Sequence, residues 1–404
     1  MTRITPEAMA LSVIVEANLF TAMRATTFST YPGDTLLHIV GACLNDARPQ
    51  GPKGQWSPAR LIGNTNSDSS RGIDNQRWTL ATDPTITPNY PDWFREHVTE
   101  PIKIISPPYY ISSVGWKFDM ERIFRQVFGR YASIINSGAL WVECNTGTCL
   151  NVQIGNGANC GADFPFYTVR NLAMVLLVYE PVLDRMVRLN SVLAHPNNPR
   201  RWVSSLSSPY FLPPNVPNNC SRAALASHLL GTCFDIPSIV RAMNPSLSSL
   251  PDTHNYYKYD FSSLLDSVEE SVSVTTQSRG GVANGHTASP SAVQPTRRTV
   301  QFRLPENLAV DPEILVHWVK FLGSLIEFAN EVDLSTLKET LGITFQNGGT
   351  TAAQGNTIVS ARPPEFAAPQ PPGSLLRLFI AMEQVQIPLD SDTARFWYRR
   401  WTRG

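Results

Sequence analysis

Four charged residues stand where their surroundings demand a partner or a task. Glu16 lies in the run Leu11-Ser-Val-Ile-Val-Glu16-Ala-Asn18, and an acid in such an apolar stretch needs a counter-charge unless it sits at a surface or strand edge. Lys103, inside Ile102–Ile105, obeys the same logic, so a Glu16–Lys103 ion pair would satisfy both. Arg303, in the apolar run from Thr299 to Leu304, reads either as half of a structural pair or as a clamp for phosphate or carboxylate, a task suited to its planar fork. Asp83 precedes Pro84 and reads as a turn residue, with a catalytic carboxylate as the alternative. Cys149 reads as a buried, inert thiol, since no adjacent histidine lowers its pKa. Cys144-x₄-Cys149 lacks the second pair that a zinc site would need. His195, among Asn197, Asn198, Arg200 and Arg201, reads as solvated.

The elements that must carry these residues are irregularly mixed. Strands are expected over Ala10–Phe20, Arg77–Thr82, Ile102–Ile105, within Trp141–Ile154, and over Thr299–Leu304; Ser106-Pro107-Pro108 ends the third, because proline cannot join a ladder. Asp119 is expected to cap a helix whose apolar positions Ile123, Phe124, Val127, Phe128 and Tyr131 recur at three and four. A second helix begins at Thr168 with Leu172, Val175, Leu176, Tyr179 and Leu183 on one face, and Pro181 is expected to kink it. Asp311 as N-cap and Pro312 at N1 open a third, carrying Ile314, Leu315, Trp318, Val319, Leu322, Leu325, Ile326 and Ala329. A last amphipathic helix spans about Ser374–Gln386. Strands and helices in this order favour α+β over a regular βαβ series, and no fixed-period repeat is visible.

Composition bounds the rest. The 404 residues balance 33 basic against 33 acidic side chains, and only 16% are charged, which argues against an electrostatic nucleic-acid binder. A hydrophobic share of 42% supports a real core, while the 32 prolines and 24 glycines imply much loop. Residues 263–298 and 342–373, rich in Ser, Thr, Gly, Ala, Gln and Pro, read as a flexible insertion and a flexible linker. One domain over 1–262 and 299–341 and a helical tail at 374–404 complete the organisation. With no signal-peptide pattern and no apolar run of spanning length, a cytoplasmic protein with reduced thiols is expected and no membrane span.

The order of these segments resembles the amidoligase family, relatives of the glutamate–cysteine ligase and glutamine synthetase type of carboxylate–amine ligase, from about Leu11 to Asn330. Glu16-Ala-Asn18 looks like the family's opening Glu-x-Glu. Trp78 with Asp83-Pro84-Thr85-Ile86 looks like its Trp, Asp and Ser-Ile segment, and Lys103-Ile-Ile-Ser106-Pro107-Pro108 like its Glu-Ile-Val-Ser-Pro strand. Cys149-Leu-Asn151-Val-Gln153-Ile-Gly155 falls where the family has Cys-Gly-Leu-His-Val-His-Val-Gly, and Phe166 to Met186 resembles the helix that follows. Lys258-Tyr259 and Thr299-Val-Gln301-Phe-Arg303 look like its closing Lys-Tyr and Glu-Phe-Arg.

The resemblance implies an α+β fold with a curved, mainly antiparallel sheet forming a cavity packed by helices. It also implies ATP activation of a carboxylate, with Mg²⁺ held by strand residues two apart, which share a face. Asn18, Lys103, Asn151, Gln153 and Gln301 stand at the family's acid and histidine positions, and carboxamides bring no charge while an ammonium repels a metal. The expected site therefore has Glu16, Lys103 and Asp83 in catalytic roles and Asn18, Asn151, Gln153, Lys258, Gln301 and Arg303 binding substrate, with no metal ligand; ATP and Mg²⁺ come only from the family pattern. The reading is a divergent enzyme joining a small carboxylate to an amine, in specialised metabolism. The alternatives are a catalytically degenerate protein that binds a ligand or a protein partner, and a metal-independent acyl transferase with Glu16 or Cys149 as base or nucleophile.

Overall fold

The computed structural model of the chain describes residues 9–25, 29, 35–46, 60–62, 78–82, 97–113, 115–121, 140–143, 149–187, 202–203, 221–245, 256–265, 297–305, 312–343, 374–387 and 389–403. Strand residues with branched or aromatic side chains build one large sheet from β1 (Leu11–Arg24), β2 (Arg60–Ile62), β3 (Thr79–Thr82), β4 (His97–Ile105), β5 (Tyr109–Tyr110), β6 (Leu140–Glu143), β7 (Cys149–Asn156), β10 (Tyr259–Asp260) and β11 (Thr299–Pro305). Its path runs β10-β11-β7-β1-β4-β3-β2, with β5 and β6 also paired to β1. Every pairing is antiparallel except β2 with β3. The two short strands β8 (Trp202–Val203) and β9 (Tyr256–Tyr257) pair separately and in parallel. The architecture is an α+β mixture with an open, mainly antiparallel sheet.

Alternation gives this sheet two unlike faces. One carries Val13, Val15 and Ala17 of β1, Ile102 and Ile104 of β4, Leu150, Val152 and Ile154 of β7, and Val300 and Phe302 of β11, all within a single buried apolar cluster. That cluster continues into α2 (Phe166–Met186) and α5 (Pro312–Glu331). Thr168 Oγ1 and Asn171 Nδ2 of α2 bind Asn330 Oδ1 and the Ala329 carbonyl at 2.8 and 2.9 Å, satisfying buried polar groups where the two helices meet. The fourteen buried residues from Thr168 to Met186 surround α2 rather than line one stripe, so it is the central helix of the fold. Although long and apolar enough to cross a membrane by length and composition, α2 has 72% of its most apolar window inside the fold.

Onto α2 also pack α3 (Arg222–Thr232), α4 (Ile236–Met243), α6 (Leu334–Leu341) and α8 (Ser391–Arg403), while α7 (Leu375–Gln384) packs on α5, α6 and α8, and α1 (Leu36–Asp46) lies against β1 to β4. Their ends carry local chemistry. Asp235 and Ser238 form a reciprocal capping box at α4, Asp333 accepts two backbone N–H groups at α6, and Gly342 closes α6 in the left-handed conformation. Hydroxyls of Ser335 and Thr336 add to that cap and hold the Asp333 carboxyl down at about 2. The tail expected at 374–404 packs into the main cluster, with Trp397 fully buried against Trp318 and Phe321.

Several boundaries differ from expectation. β1 and β4 extend to Arg24 and from His97 because their pairing runs unbroken over Glu16↔Ile105 to Arg24↔His97. Asp119 is not an N-cap: residues 115–121 are already helical, and positions 122–139 lie outside the described residues. α2 begins at Phe166 and continues through Pro181. Ser263 belongs to the fold, its hydroxyl donating to the Thr299 carbonyl at 2.5 Å. The remainder of the two stretches expected to be flexible, 266–296 and 344–373, lies outside the described residues.

Candidate functional site

The second face of the sheet is polar. One row across it reads Arg303, Asn151, Glu16 and Ile105 in adjacent strands, and the next reads Gln301, Gln153 and Ile14. Asp260 adjoins Gln301 from β10, and Asn18 pairs with Lys103 and Cys149 one row further on. Strands about 4.8 Å apart bring these neighbours within side-chain reach.

The contacts form two linked groups. Lys103 Nζ lies 3.0 Å from Glu16 Oε1, and Gln153 Nε2 donates to Glu16 Oε2 at 3.1 Å. Each Glu16 oxygen is thus held by a protein donor. The side chains of this pair are 11% (Glu16) and 17% (Lys103) exposed, so the attraction acts in partly dehydrated surroundings. In the second group Arg303 donates to Asp260 Oδ2 at 3.0 Å, to the Tyr257 carbonyl at 2.7 Å and to Gln301 Oε1 at 2.8 Å. Asn151 Nδ2 donates to that same Gln301 oxygen at 3.1 Å.

This geometry fixes the orientation of the amides. Arg303 can only donate, so Gln301 must face it with oxygen, and Asn151 must face that oxygen with its NH₂ group. The Asn151 carbonyl oxygen therefore points elsewhere. It is buried and has no hydrogen-bond partner among the described residues. An acceptor without a donor costs desolvation energy, which makes this oxygen the point on the face that a further hydrogen-bond donor would relieve.

An apolar rim borders the polar rows. Ile14, Ile105 and Cys160 form their own small buried cluster, closed by the turn Ala158–Cys160. The turn lies so near β7 that a Cβ at Gly155 would stand 2.3 Å from the Cys160 Cβ and 2.8 Å from its Cα, so glycine is the residue that permits the approach. Asn159 and Cys160 both take positive φ there. Burial pushes the Cys160 thiol up to about 12, the Arg297 charge opposing it; this thiol is not a nucleophile near neutral pH.

Of the expected site residues, Glu16, Lys103, Asn151, Gln153, Gln301 and Arg303 share this face. Asn18 belongs to it by strand register; its side chain and that of Cys149 lie outside the described residues, as does Asp83 altogether. Lys258 is a correction. It sits on the helix side, 4% exposed, with Nζ 3.1 Å from Glu180 Oε1 and 2.7 and 2.8 Å from the Asp184 oxygens. Arg222 holds the other Glu180 oxygen at 3.1 Å. Burial raises the Asp184 carboxyl above its ordinary range while Lys258 pulls it down. The strand breaks at Lys258, between β9 and β10, so alternation does not carry across it.

Three partners escaped the sequence reading. Asp260, the counter-charge of Arg303, stands two residues after Lys258. Glu180 and Asp184 are spaced four apart on α2, so they share a face of an otherwise apolar helix, and that spacing was the available signal. Among the described residues no group of three or more His, Cys, Asp and Glu is placed to hold a metal ion. No protein-family model, curated protein or solved structure matches the chain.

Proposed function

We propose that the chain is a catalytically degenerate relative of the amidoligases, with the glutamine synthetase-like sheet arrangement, whose polar face recognises a small ligand without Mg-ATP chemistry. The observation that carries this reading is the Glu16 carboxylate, occupied on one oxygen by the Lys103 ammonium and on the other by Gln153. Magnesium requires hard, preferably anionic oxygen ligands. Here the carboxylate expected to supply one is neutralised by a cation in the adjacent row, and Asp260 is neutralised in the same way by Arg303. The residues present do not fit Mg²⁺.

The ligand class follows from the same balance. Glu16, Lys103, Asp260 and Arg303 cancel, so an ion with net charge meets no uncompensated counter-charge on entering these partly dehydrated surroundings. What remains is hydrogen bonding, with the buried Asn151 oxygen awaiting a donor. A small, net-neutral molecule bearing hydroxyl, amide or amine N–H groups suits it.

The test is a thermal-shift series with Mg-ATP, followed by mass spectrometry of small molecules released from natively purified protein. A ligand at a hundred times its dissociation constant adds about 2.7 kcal/mol. The expected result is no Mg-ATP shift and release of a neutral polar molecule whose retention is lost in Asn151→Leu. A magnesium-dependent shift with ATP would restore ligase chemistry and overturn the proposal.

A further inference from the structure

The segment Tyr257–Phe261 touches both sides of the sheet. Behind it, Lys258 Nζ joins Glu180 and Asp184 of α2. In front, the Lys258 carbonyl accepts the Arg303 backbone N–H at 3.0 Å, the Tyr257 carbonyl accepts from the Arg303 guanidinium at 2.7 Å, and the Asp260 carboxylate completes the grip. Asn244 clamps the same segment through both amide atoms, donating to the Tyr259 carbonyl at 2.8 Å and accepting from Phe261 N–H at 2.7 Å. Tyr259 packs edge-on to Phe302, next to Arg303 in β11. Two of the groups that hold the Arg303 guanidinium, the Tyr257 carbonyl and the Asp260 carboxylate, belong to this strap.

Lys258 is also the point where the chain leaves the small parallel sheet at β9 and joins the large one at β10. Lys258 lies between the two ladders with its carbonyl held by the Arg303 N–H. Its side chain is anchored behind the sheet, where the two α2 carboxylates hold it through three short contacts.

We infer that the Glu180–Asp184–Lys258 cluster is a positioning device for Arg303, coupling the helix layer behind the sheet to the polar face in front. Weakening the cluster frees the strap, the Tyr257 and Lys258 carbonyls shift, and the guanidinium loses the alignment that turns Gln301 and, through it, Asn151. The inference deepens the recognition reading by naming what orients its Asn151 oxygen. The coupling itself is a property of the ligand-free chain, so it stands or falls separately.

Hydrogen exchange of the full-length, ligand-free protein tests it, under native conditions where exchange reports local opening. Asp184→Asn keeps the shape and removes one charge holding Lys258. It is expected to raise exchange in residues 299–303 about tenfold. Leu378→Ala, a core truncation in α7 at a fully buried position away from the strap, serves as the control for general destabilisation and is expected to leave those amides within about twofold of wild type. Should Asp184→Asn fold poorly, Glu180→Gln tests the same cluster. Unchanged exchange in the cluster variants, or an equal rise in Leu378→Ala, overturns the inference. A positive exchange result with no neutral ligand recovered would leave the coupling standing and remove the recognition reading.

Discussion

Replacing Lys103 by Met keeps a stem close to that of lysine and removes the charge that faces Glu16. Among the described residues the carboxylate then retains only the Gln153 amide at 3.1 Å, in a site where its side chain is 11% exposed. Removing one partner of a buried pair generally costs 3–5 kcal/mol, because the remaining charge stays desolvated. The surviving hydrogen bond and the residual exposure place Lys103→Met at the low end, about 3 kcal/mol. Glu16→Gln in the Lys103→Met background removes the stranded charge, so the double variant should be more stable than Lys103→Met alone. That order is the signature of a stranded ion, since two independent losses would add. Urea denaturation of the four proteins, with the slope compared to check that the unfolded states match, gives the cycle. A Lys103→Met stability within about 0.5 kcal/mol of wild type would refute the reasoning, and so would a double variant that simply sums the two losses.

Gly155→Ala should destabilise severely or abolish folding, read as lost soluble yield and a lowered melting temperature, because the added Cβ meets the Cys160 backbone and not a flexible side-chain tip. Trp397→Ala, at a fully buried position whose Nε1 donates to the His317 carbonyl at 3.1 Å, should cost about 3–5 kcal/mol in denaturant unfolding. His317 stacks on Phe396 at 4.2 Å and contacts the Thr393 hydroxyl at 2.8 Å. Burial, with help from Lys320 and Lys117 and against Asp390 and Glu313, lowers its pKa. The unfolded chain therefore takes up this proton first, and the His317 contribution to stability, full above about pH 6.5, is lost as pH falls through the lowered folded value. His317→Gln should flatten that part of the stability–pH curve, measured by denaturation between pH 5 and about 7.5.

The legible part of the site was the part governed by strand alternation. Glu16, Lys103, Asn151, Gln153 and Gln301 each stand between neighbours buried in the main cluster, and Arg303 follows Phe302 of the same cluster, so strand alternation carries to the opposite face the residues that the family resemblance aligned with ligand positions. The Glu16–Lys103 pair followed from the cost of leaving either charge alone, and the two strands are indeed adjacent and antiparallel. Helix termini were legible where a cap precedes an apolar repeat, as at Ser374, which accepts the Arg377 N–H. They were not legible at Asp119, where an acid that resembles a cap lies inside the first turns of a helix already under way.

Lys258 shows the physical limit. Extended backward from Asp260, alternation places Lys258 on the polar face; the strand instead breaks at that residue and the parity resets. Nothing local marks the break, because Tyr256-Tyr-Lys-Tyr-Asp260 contains neither glycine nor proline. What decides the direction of the side chain is a tertiary fact, the two carboxylates that α2 presents four residues apart beneath it. A buried lysine goes where its counter-charges are, since the energy of an unpaired ammonium exceeds that of a broken two-residue ladder. The same competition explains why Arg303 and not Lys258 reaches the polar face: Asp260 on that side supplies one anion, and Arg303, fixed in the unbroken strand β11, already holds it.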